Sequence, residues 1–294
     1  MQKLIIRLPN WVGDVIMCLP ALAYLHRHGI KLILFGKPWI HDLLQDMPYE
    51  LHTYQDRINL KNIPCRQFLL LTNSFSSALI GRLAKKKCLG YATDSRRLLL
   101  HRFIQKPKNH HETDLFLALA QEALLHFFGL SADIIDADDY IPKLTITTSS
   151  KTVPPYVVLC PFAHGLTRDN KSKKWPYWQD LVKEIAHLNP IICPGPNEIA
   201  QAQQYFPEAQ LRFGLSLYEY ARLLSHAKLV IANDSGPMHM AAALNTTTIG
   251  LFGVSDPRRT GPKTAIILGS ADEWPSLELV LATSIPYFAG INSN

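Results

Sequence analysis

Residues 233–239 (NDSGPMH) have the composition of a site that binds an anion. They follow a short apolar stretch, 228–232, that predicts a buried strand, and they precede an alanine-rich segment that predicts a helix. Asp234 or Ser235 can cap that helix, and Gly236 lets a ligand approach the backbone closely. The N–H groups and the dipole at a helix start favour a phosphate group. An ordinary capped helix explains the same residues, so the motif alone leaves both interpretations open.

Three other candidates stand at the ends of predicted strands. Asp14 follows Gly13 after the first predicted strand, where its carboxylate could cap a helix or act as a general base. The loop 167–176 is polar and basic, and one of its lysines could place a positive charge on a phosphate. Glu198 could complement a helix dipole or accept hydrogen bonds from a ribose. Spacing does not separate these alternatives.

The sequence predicts no metal site. Asp136 and Asp138 form an Asp-x-Asp pair, but no predicted strand ends there, so we interpret them as a solvated acidic turn. The five cysteines are scattered and odd in number, without a Cys-x-x-Cys pair. That usage argues against a zinc site and favours a reducing compartment.

A basic stretch runs from Arg82 to His111, with nine Lys or Arg and one acidic residue, Asp94. Together with the net charge of +6 it favours an acidic ligand or surface. A nucleic acid, an anionic acceptor at a membrane face, and a surface that only keeps the protein in solution all fit it. Aromatic residues are sparse in the stretch, which disfavours single-stranded nucleic acid.

Strands and helices alternate in both halves of the 294-residue chain, which predicts two α/β domains with parallel sheets. The polar segment 147–155 is the predicted linker, which gives domains at 1–150 and 151–294. In such sheets ligands sit at the carboxyl ends of the strands, where Asp14, the basic loop, Glu198 and residues 233–239 lie. The start lacks a signal-peptide cleavage site and residues 235–255 make a poor membrane span, so we expect a cytoplasmic protein.

Three motifs in order resemble glycosyltransferase family 9, the bacterial lipopolysaccharide heptosyltransferases. They are 9–14 (PNWVGD), 173–176 (KKWP) and 233–244 (NDSGPMHMAAAL). Weaker similarity lies at 88–91 with 96–97, and at 251–253 with 256–257. Within the family, the Trp-Val-Gly-Asp start is most similar to heptosyltransferase II.

The resemblance implies a GT-B fold, with two Rossmann-like domains facing each other across a cleft. The N-terminal domain would bind the acceptor and the C-terminal domain the nucleotide-sugar. The implied reaction is an inverting, metal-independent transfer of heptose from ADP-heptose to the inner core of lipopolysaccharide, without a cofactor. The implied partners are that donor, an anionic lipopolysaccharide-core acceptor and, peripherally, the inner membrane, but no nucleic acid.

By position in the motifs, the resemblance also implies roles for individual residues. Asp14 matches the catalytic base, Lys173 the phosphate-binding lysine and Glu198 the acidic residue at the ribose. The donor loop is matched by Asp234, Ser235, Gly236 and His239. From the basic stretch, rather than from the family motifs, Arg96 and Arg97 are the expected contacts to the anionic acceptor. Lys171 competes with Lys173 for the phosphate role.

The chain departs from the family pattern at Phe162, where many members have glycine, and it is short after Asp256. These departures motivate an alternative, a non-catalytic module that binds a nucleotide-sugar or a glycolipid. A nucleotide-sugar epimerase or hydrolase on the same fold is a further alternative.

Overall fold

The computed structural model describes residues 2–53, 60–131, 136–147, 154–163 and 170–291. The chain divides into two compact units, residues 1–144 and 145–294. The boundary expected between residues 150 and 151 lies outside the described residues. Among the described residues, no helix is both long and apolar enough to cross a membrane.

The N-terminal unit contains a six-stranded parallel sheet in the order β3-β2-β1-β4-β5-β6. Its strands are β1 (Lys3–Arg7), β2 (Lys31–Gly36), β3 (Glu50–Thr53), β4 (Gln67–Leu70), β5 (Lys87–Tyr91) and β6 (Arg102–Ile104). Its α-helices are α1 (Val12–Arg27), α2 (Ile40–Leu44), α3 (Phe75–Leu83) and α4 (Glu112–Phe128). Short 3₁₀ turns span Leu60–Asn62, Arg96–Leu99 and Ala137–Tyr140.

The C-terminal unit contains a second six-stranded parallel sheet, in the order β12-β11-β10-β7-β8-β9. Its strands are β7 (Val157–Cys160), β8 (Ile191–Ile192), β9 (Gln210–Leu211), β10 (Leu229–Asn233), β11 (Thr248–Phe252) and β12 (Ile266–Gly269). Its α-helices are α5 (Trp178–Glu184), α6 (Ile199–Tyr205), α7 (Leu217–His226), α8 (Gly236–Ala243), α9 (Pro257–Thr260) and α10 (Leu277–Ser284). Turns of 3₁₀ helix span Ala186–Leu188 and Ile285–Tyr287.

Both sheets have the strand order 3-2-1-4-5-6 when each unit is numbered from its own first strand. The order reverses between the first and fourth strands, which are β1 and β4 in one unit and β7 and β10 in the other. In open parallel sheets the crevice at that reversal is where ligands bind. The central strands β7, β10 and β11 are buried at every position, as expected for a sheet covered on both faces.

The position of Asp14 in its helix differs from one of the two interpretations given above. Helix α1 begins at Val12, so Asp14 lies in its first turn and the cap position belongs to Trp11, whose side chain makes no cap bond. The expectation that Asp14 caps the helix is therefore wrong. Helix α5 begins at Trp178, two residues after Pro176. Helix α4 ends before Gly129, which adopts the left-handed conformation at φ +67° that commonly terminates a helix.

Candidate functional site

Asp234 lies at the carboxyl end of β10 and joins three loops of the C-terminal unit. It is only 6% exposed, and its Oδ2 accepts hydrogen bonds from Lys173 Nζ at 2.6 Å and from Ser255 Oγ at 2.7 Å. His239 Nε2 lies 4.0 Å from Asp234 Oδ1. The carboxylate therefore fixes one lysine ammonium beside the start of α8, at the reversal point of the sheet.

Asn233, one residue earlier, anchors the loop that carries Lys173. Its side chain is fully buried, and Oδ1 accepts from the Trp175 backbone N at 3.0 Å and from Trp178 Nε1 at 3.1 Å. Its Nδ2 donates to the Pro161 carbonyl at 2.7 Å. A single amide thus ties the end of β10 to the segment after β7 and to the start of α5. Because Lys173 precedes Trp175 by two residues, its backbone position follows from these bonds.

The start of α8 has no side-chain cap bond. Ser235 stands at the cap position but makes no side-chain cap bond, because its Oγ donates to the Asn233 carbonyl at 3.1 Å. Ser235 thus holds the expected cap position, but the expected side-chain cap bond is absent, since the Asp234 and Ser235 side chains bond to Lys173, Ser255 and Asn233 instead. A helix start without a side-chain cap has the chemistry that favours an anion.

Glu198 lies at the cap position of α6, after strand β8, which neighbours β7. Its Oε2 accepts from the Gly195 N–H at 2.7 Å and closes the turn that leads into the helix. The residue is half-buried and stands at the same sheet edge as Asp234. The structure thus gives it a turn-closing role, and the expected contact to a ribose stays a prediction.

The basic loop places its lysines differently. The Lys173 side chain is 25% exposed and paired with Asp234, whereas Lys171 is exposed. Lys174 donates to Gln201 Oε1 at 3.3 Å and lies 5.6 Å from the ring centroid of Phe162. The Phe162 ring also packs edge-on against Phe206, so this departure from the family pattern extends the core. Residues 167–169 of the loop lie outside the described residues.

In the N-terminal unit, Asp14 lies in the first turn of α1, directly after the loop that follows β1. It is half-buried, and burial of the Cys18 thiol one turn later, together with the Asp14 charge, raises the pKa of that thiol. Trp11 beside it is 63% exposed, and Arg7 Nη2 donates to Asn10 Oδ1 at 2.7 Å across the same loop. Burial lowers the pKa of Arg7 to about 10. Asp14 thus occupies the reversal point of its own sheet.

The expectation that Arg96 contacts the acceptor is wrong, because its side chain is fully buried. Its Nε donates to the Tyr91 carbonyl at 2.9 Å and its Nη1 to the Thr72 carbonyl at 2.6 Å, which ties the ends of β4 and β5 together. Burial lowers its pKa to about 10. The neighbouring Arg97 is exposed and lies over the Phe103 ring at 4.6 Å.

The acidic run near residue 138 forms the turn that was predicted. The Asp136 N–H donates to Asp139 Oδ2 at 3.1 Å, and both carboxylate oxygens of Asp139 accept from the Arg27 guanidinium. Within the described ranges, no group of three or more His, Cys, Asp or Glu side chains is arranged to hold a metal ion.

Residues 59–285 match the model of glycosyltransferase family 9 (heptosyltransferase). The chain belongs to this family. It is therefore a glycosyltransferase of the heptosyltransferase type.

Individual relatives agree with this membership. Lipooligosaccharide heptosyltransferase 2 of Haemophilus ducreyi is 26% identical over 331 aligned residues, which cover 92% of this chain and 89% of that protein. Lipopolysaccharide heptosyltransferase 3 of Escherichia coli is 47% identical over 109 residues, 34% of this chain and 32% of that protein. The solved structure of the Escherichia coli heptosyltransferase WaaC with ADP is 21% identical and superposes with a TM-score of 0.74, covering 98% of this chain and all of that one. The α/β fold of two Rossmann-like units is thus the GT-B fold, as predicted, and the resemblance to heptosyltransferase II is confirmed.

Two residues of this site escaped the sequence reasoning. Ser255 was not singled out, although it follows β11, whose end adjoins the end of β10. Asn233 was included in the motif but was not assigned a role. Each of the two residues follows or ends a buried strand, which is the position where ligands bind in a parallel sheet. To recognise that they lie together, one must know the order of the strands in the sheet.

Proposed function

We propose that this glycosyltransferase moves heptose from ADP-heptose to the inner core of lipopolysaccharide, with inversion at the anomeric carbon and without a metal ion. The observation that carries the proposal is the ammonium of Lys173, held on buried Asp234 beside the uncapped start of α8. The chain's membership of family 9 and its similarity in fold to a heptosyltransferase with ADP support that donor.

The C-terminal unit, residues 151–294 in our assignment, binds the donor in this proposal. Lysine carries three N–H donors, and the carboxylate of Asp234 accepts one of them, so the ammonium is positioned while it retains donors for a diphosphate. The N–H groups of the first turn of α8, at Ser235 and Gly236, and the helix dipole add partial positive charge. His239, buried against Asp234, completes this loop, and Glu198 accepts hydrogen bonds from the ribose.

In the proposed chemistry Asp14 is the general base. Its carboxylate takes the proton of an acceptor hydroxyl while that oxygen forms a bond to the anomeric carbon. The bond from that carbon to the ADP oxygen breaks on the opposite face, and ADP leaves with the electron pair. The negative charge that develops on ADP is stabilised by Lys173 and the start of α8, which are fixed before the reaction begins. These fixed charges take the role that a metal ion would have.

The N-terminal unit, residues 1–150 in our assignment, binds the anionic acceptor. Arg97 is exposed and is the arginine that we propose for this contact, whereas Arg96 supports the turn that presents it. The protein works in the cytoplasm, in peripheral contact with the inner face of the membrane that carries the acceptor. Nucleic acid is not a partner in this proposal.

The test compares Asp14→Asn with Asp42→Asn. Asp42 is exposed in the first turn of α2, so its substitution reports what a helix-start carboxylate contributes to stability alone. Loss of a general base lowers the rate by roughly 10² to 10⁴, so we expect that loss in kcat for Asp14→Asn. ADP affinity and melting temperature should stay near those of the parent for both variants. Transfer by Asp14→Asn within a few-fold of the parent rate would refute the role of Asp14.

A second candidate is a non-catalytic module that binds the nucleotide-sugar, motivated by Phe162, which fills the place where many family members have glycine. ADP binding by the parent chain, with no transfer to any lipopolysaccharide-core acceptor, would favour it. Release of free heptose or formation of an epimer without an acceptor would favour a hydrolase or epimerase instead.

A further inference from the structure

Helix α3 packs on its sheet with its small residues inward. Ser77, Ala78, Gly81 and Ala84 form its buried face. A Cβ atom at Gly81 would lie 2.5 Å from Cys88 Sγ and 2.8 Å from the Phe68 ring, so the helix backbone runs very close to β4 and β5. This arrangement inverts the usual one, in which a helix buries its large apolar side chains against the core.

The opposite side of α3 carries the large apolar residues and is exposed. Phe75, Leu79 and Leu83 recur at the four-residue spacing that aligns side chains along one side of a helix. Their exposed fractions are 46%, 38% and 64%, and Ile80 beside them is 54% exposed. The 3₁₀ turn Arg96–Leu99 contacts α3 and adds Leu98, which is 92% exposed. We call these five residues the apolar face of α3. Large apolar side chains exposed together on neighbouring elements are typical of an interaction site.

Exposed basic residues stand at the C-terminal end of α3 and directly after it. Arg82, Lys85 and Lys87 are exposed, and residues 75–93 contain no Asp or Glu, while the exposed Asp94 precedes the turn Arg96–Leu99. Lys86 does not contribute, because its ammonium is buried on the carbonyls of Ile63 and Cys65, at 2.8 and 2.7 Å. The surface thus combines large apolar side chains with a basic border.

We propose that the apolar face of α3 docks on an anionic lipid bilayer, with Arg82, Lys85 and Lys87 at the headgroups. A helix with an apolar side and basic neighbours is suited to the boundary between headgroups and acyl chains. A second copy of this chain would bring like charges together around the face, and a nucleic acid would leave the apolar side chains uncovered. The proposal deepens the peripheral membrane contact of the proposed function, but its own basis is this surface alone.

Buried Arg96 supports this surface from beneath. Its bonds to the Thr72 and Tyr91 carbonyls hold the turn Arg96–Leu99 beside the start of α3. Leu98 is therefore fixed next to the helix, and exposed Arg97 is presented at the edge of the same surface. An acceptor bound at Arg97 would then lie next to the bilayer.

The experiment is co-sedimentation of the full chain with vesicles of phosphatidylethanolamine and phosphatidylglycerol, and with vesicles of phosphatidylcholine alone. One variant combines Leu79→Ser and Leu83→Ser, and its matched control combines Leu279→Ser and Ile285→Ser, which are 47% and 61% exposed in the C-terminal unit. A second variant combines Arg82→Gln and Lys87→Gln, with exposed Lys183→Gln as its control. All substituted side chains are on the surface, so melting temperatures should stay near that of the parent.

We expect the parent and both controls to bind the anionic vesicles and to bind phosphatidylcholine weakly. Each basic residue neutralised should weaken binding to anionic vesicles about fivefold, the equivalent of about 1 kcal/mol per charge near such a surface. The serine variant should lose most of the binding. ADP affinity, and transfer to an acceptor without acyl chains, should not change in any variant.

Three results would overturn the proposal: a parent chain that does not bind anionic vesicles, serine and control variants that bind equally, or a parent dimer that the serine variant alone dissociates. The last result would identify a second copy as the occupant. A failure of the proposed function looks different, because the parent would bind the vesicles normally and transfer no heptose to the acyl-free acceptor.

Discussion

If Lys173 binds the donor as proposed, the side chain of Asn233 links the stability of the C-terminal unit to donor binding, and Asn233→Ala tests that link. The substitution removes one acceptor and one donor from a fully buried position. It leaves two N–H groups, those of the Trp175 backbone and the Trp178 indole, and the Pro161 carbonyl without their partner. The segment that carries Lys173 then loses the two hydrogen bonds by which Asn233 holds it at the end of β10.

The magnitude follows from the count of stranded groups. A buried polar group left without a partner costs about 1–3 kcal/mol. Water can partly reach the space that the substitution opens, so we use the lower end of that range for each of the three groups. The expected loss in the free energy of unfolding is about 3–5 kcal/mol. Domains of this class are stable by roughly 5–15 kcal/mol. At about 2–4 °C per kcal/mol for a unit of this size, the melting temperature should fall by roughly 6–20 °C.

The assay measures melting and ADP affinity on the same variants. Asn197→Ala is the matched control, since Asn197 is exposed at the same sheet edge and its loss should change stability by less than about 0.5 kcal/mol. Asn233→Ala should also bind ADP more weakly at a temperature where it is still folded. Melting of Asn233→Ala within 2 °C of the parent, or unchanged ADP affinity, would refute the argument that these hydrogen bonds position Lys173.

Two further predictions concern Arg96 and metal ions. Arg96→Met leaves the Thr72 and Tyr91 carbonyls without their donor and should destabilise the N-terminal unit by about 2–4 kcal/mol. Arg97→Met should leave stability unchanged and raise the acceptor KM. An Arg96→Met protein with the parent melting temperature and a raised KM would show that Arg96 binds the acceptor after all. Transfer should persist in excess EDTA, because fixed positive groups are proposed to stabilise the leaving diphosphate, and a complete loss that manganese restores would contradict the metal-independent mechanism.

The sequence predicted the alternation of strands and helices because buried parallel strands such as β7 and β11 are continuous apolar runs between turn residues. The edge strand β9, which is only Gln210–Leu211, carries little such signal, because pairing with β8 rather than apolar content defines it. The strand order, and with it the contact between Ser255 and Asp234, depends on long-range packing that no local pattern encodes.

Arg96 shows where reasoning from composition failed. A basic run predicts exposed charge, but the left-handed conformations of Asp94 and Ser95 turn the chain and direct the next side chain inward. The backbone carbonyls at the ends of β4 and β5 then receive the guanidinium. The turn decides whether a basic residue faces water or a cluster of carbonyls. The composition of the stretch 82–111, with its nine basic residues, does not predict that turn.

The inward-facing small residues of α3 have a consequence for local stability. Each large apolar side chain that a helix buries fully contributes about 1.5–3 kcal/mol, and the partial exposure of Phe75, Leu79 and Leu83 means that α3 gains only part of that contribution. Its attachment depends on close backbone packing at Gly81 and on the cap bond from the Ser77 N–H to Ser74 Oγ. Segments with few buried apolar contacts open at a lower free energy than the rest of a domain. A membrane surface that binds α3 only when the helix is packed on the sheet would shift the local opening of α3 toward the packed state by mass action. Lipid binding would therefore stabilise the folded state of this helix.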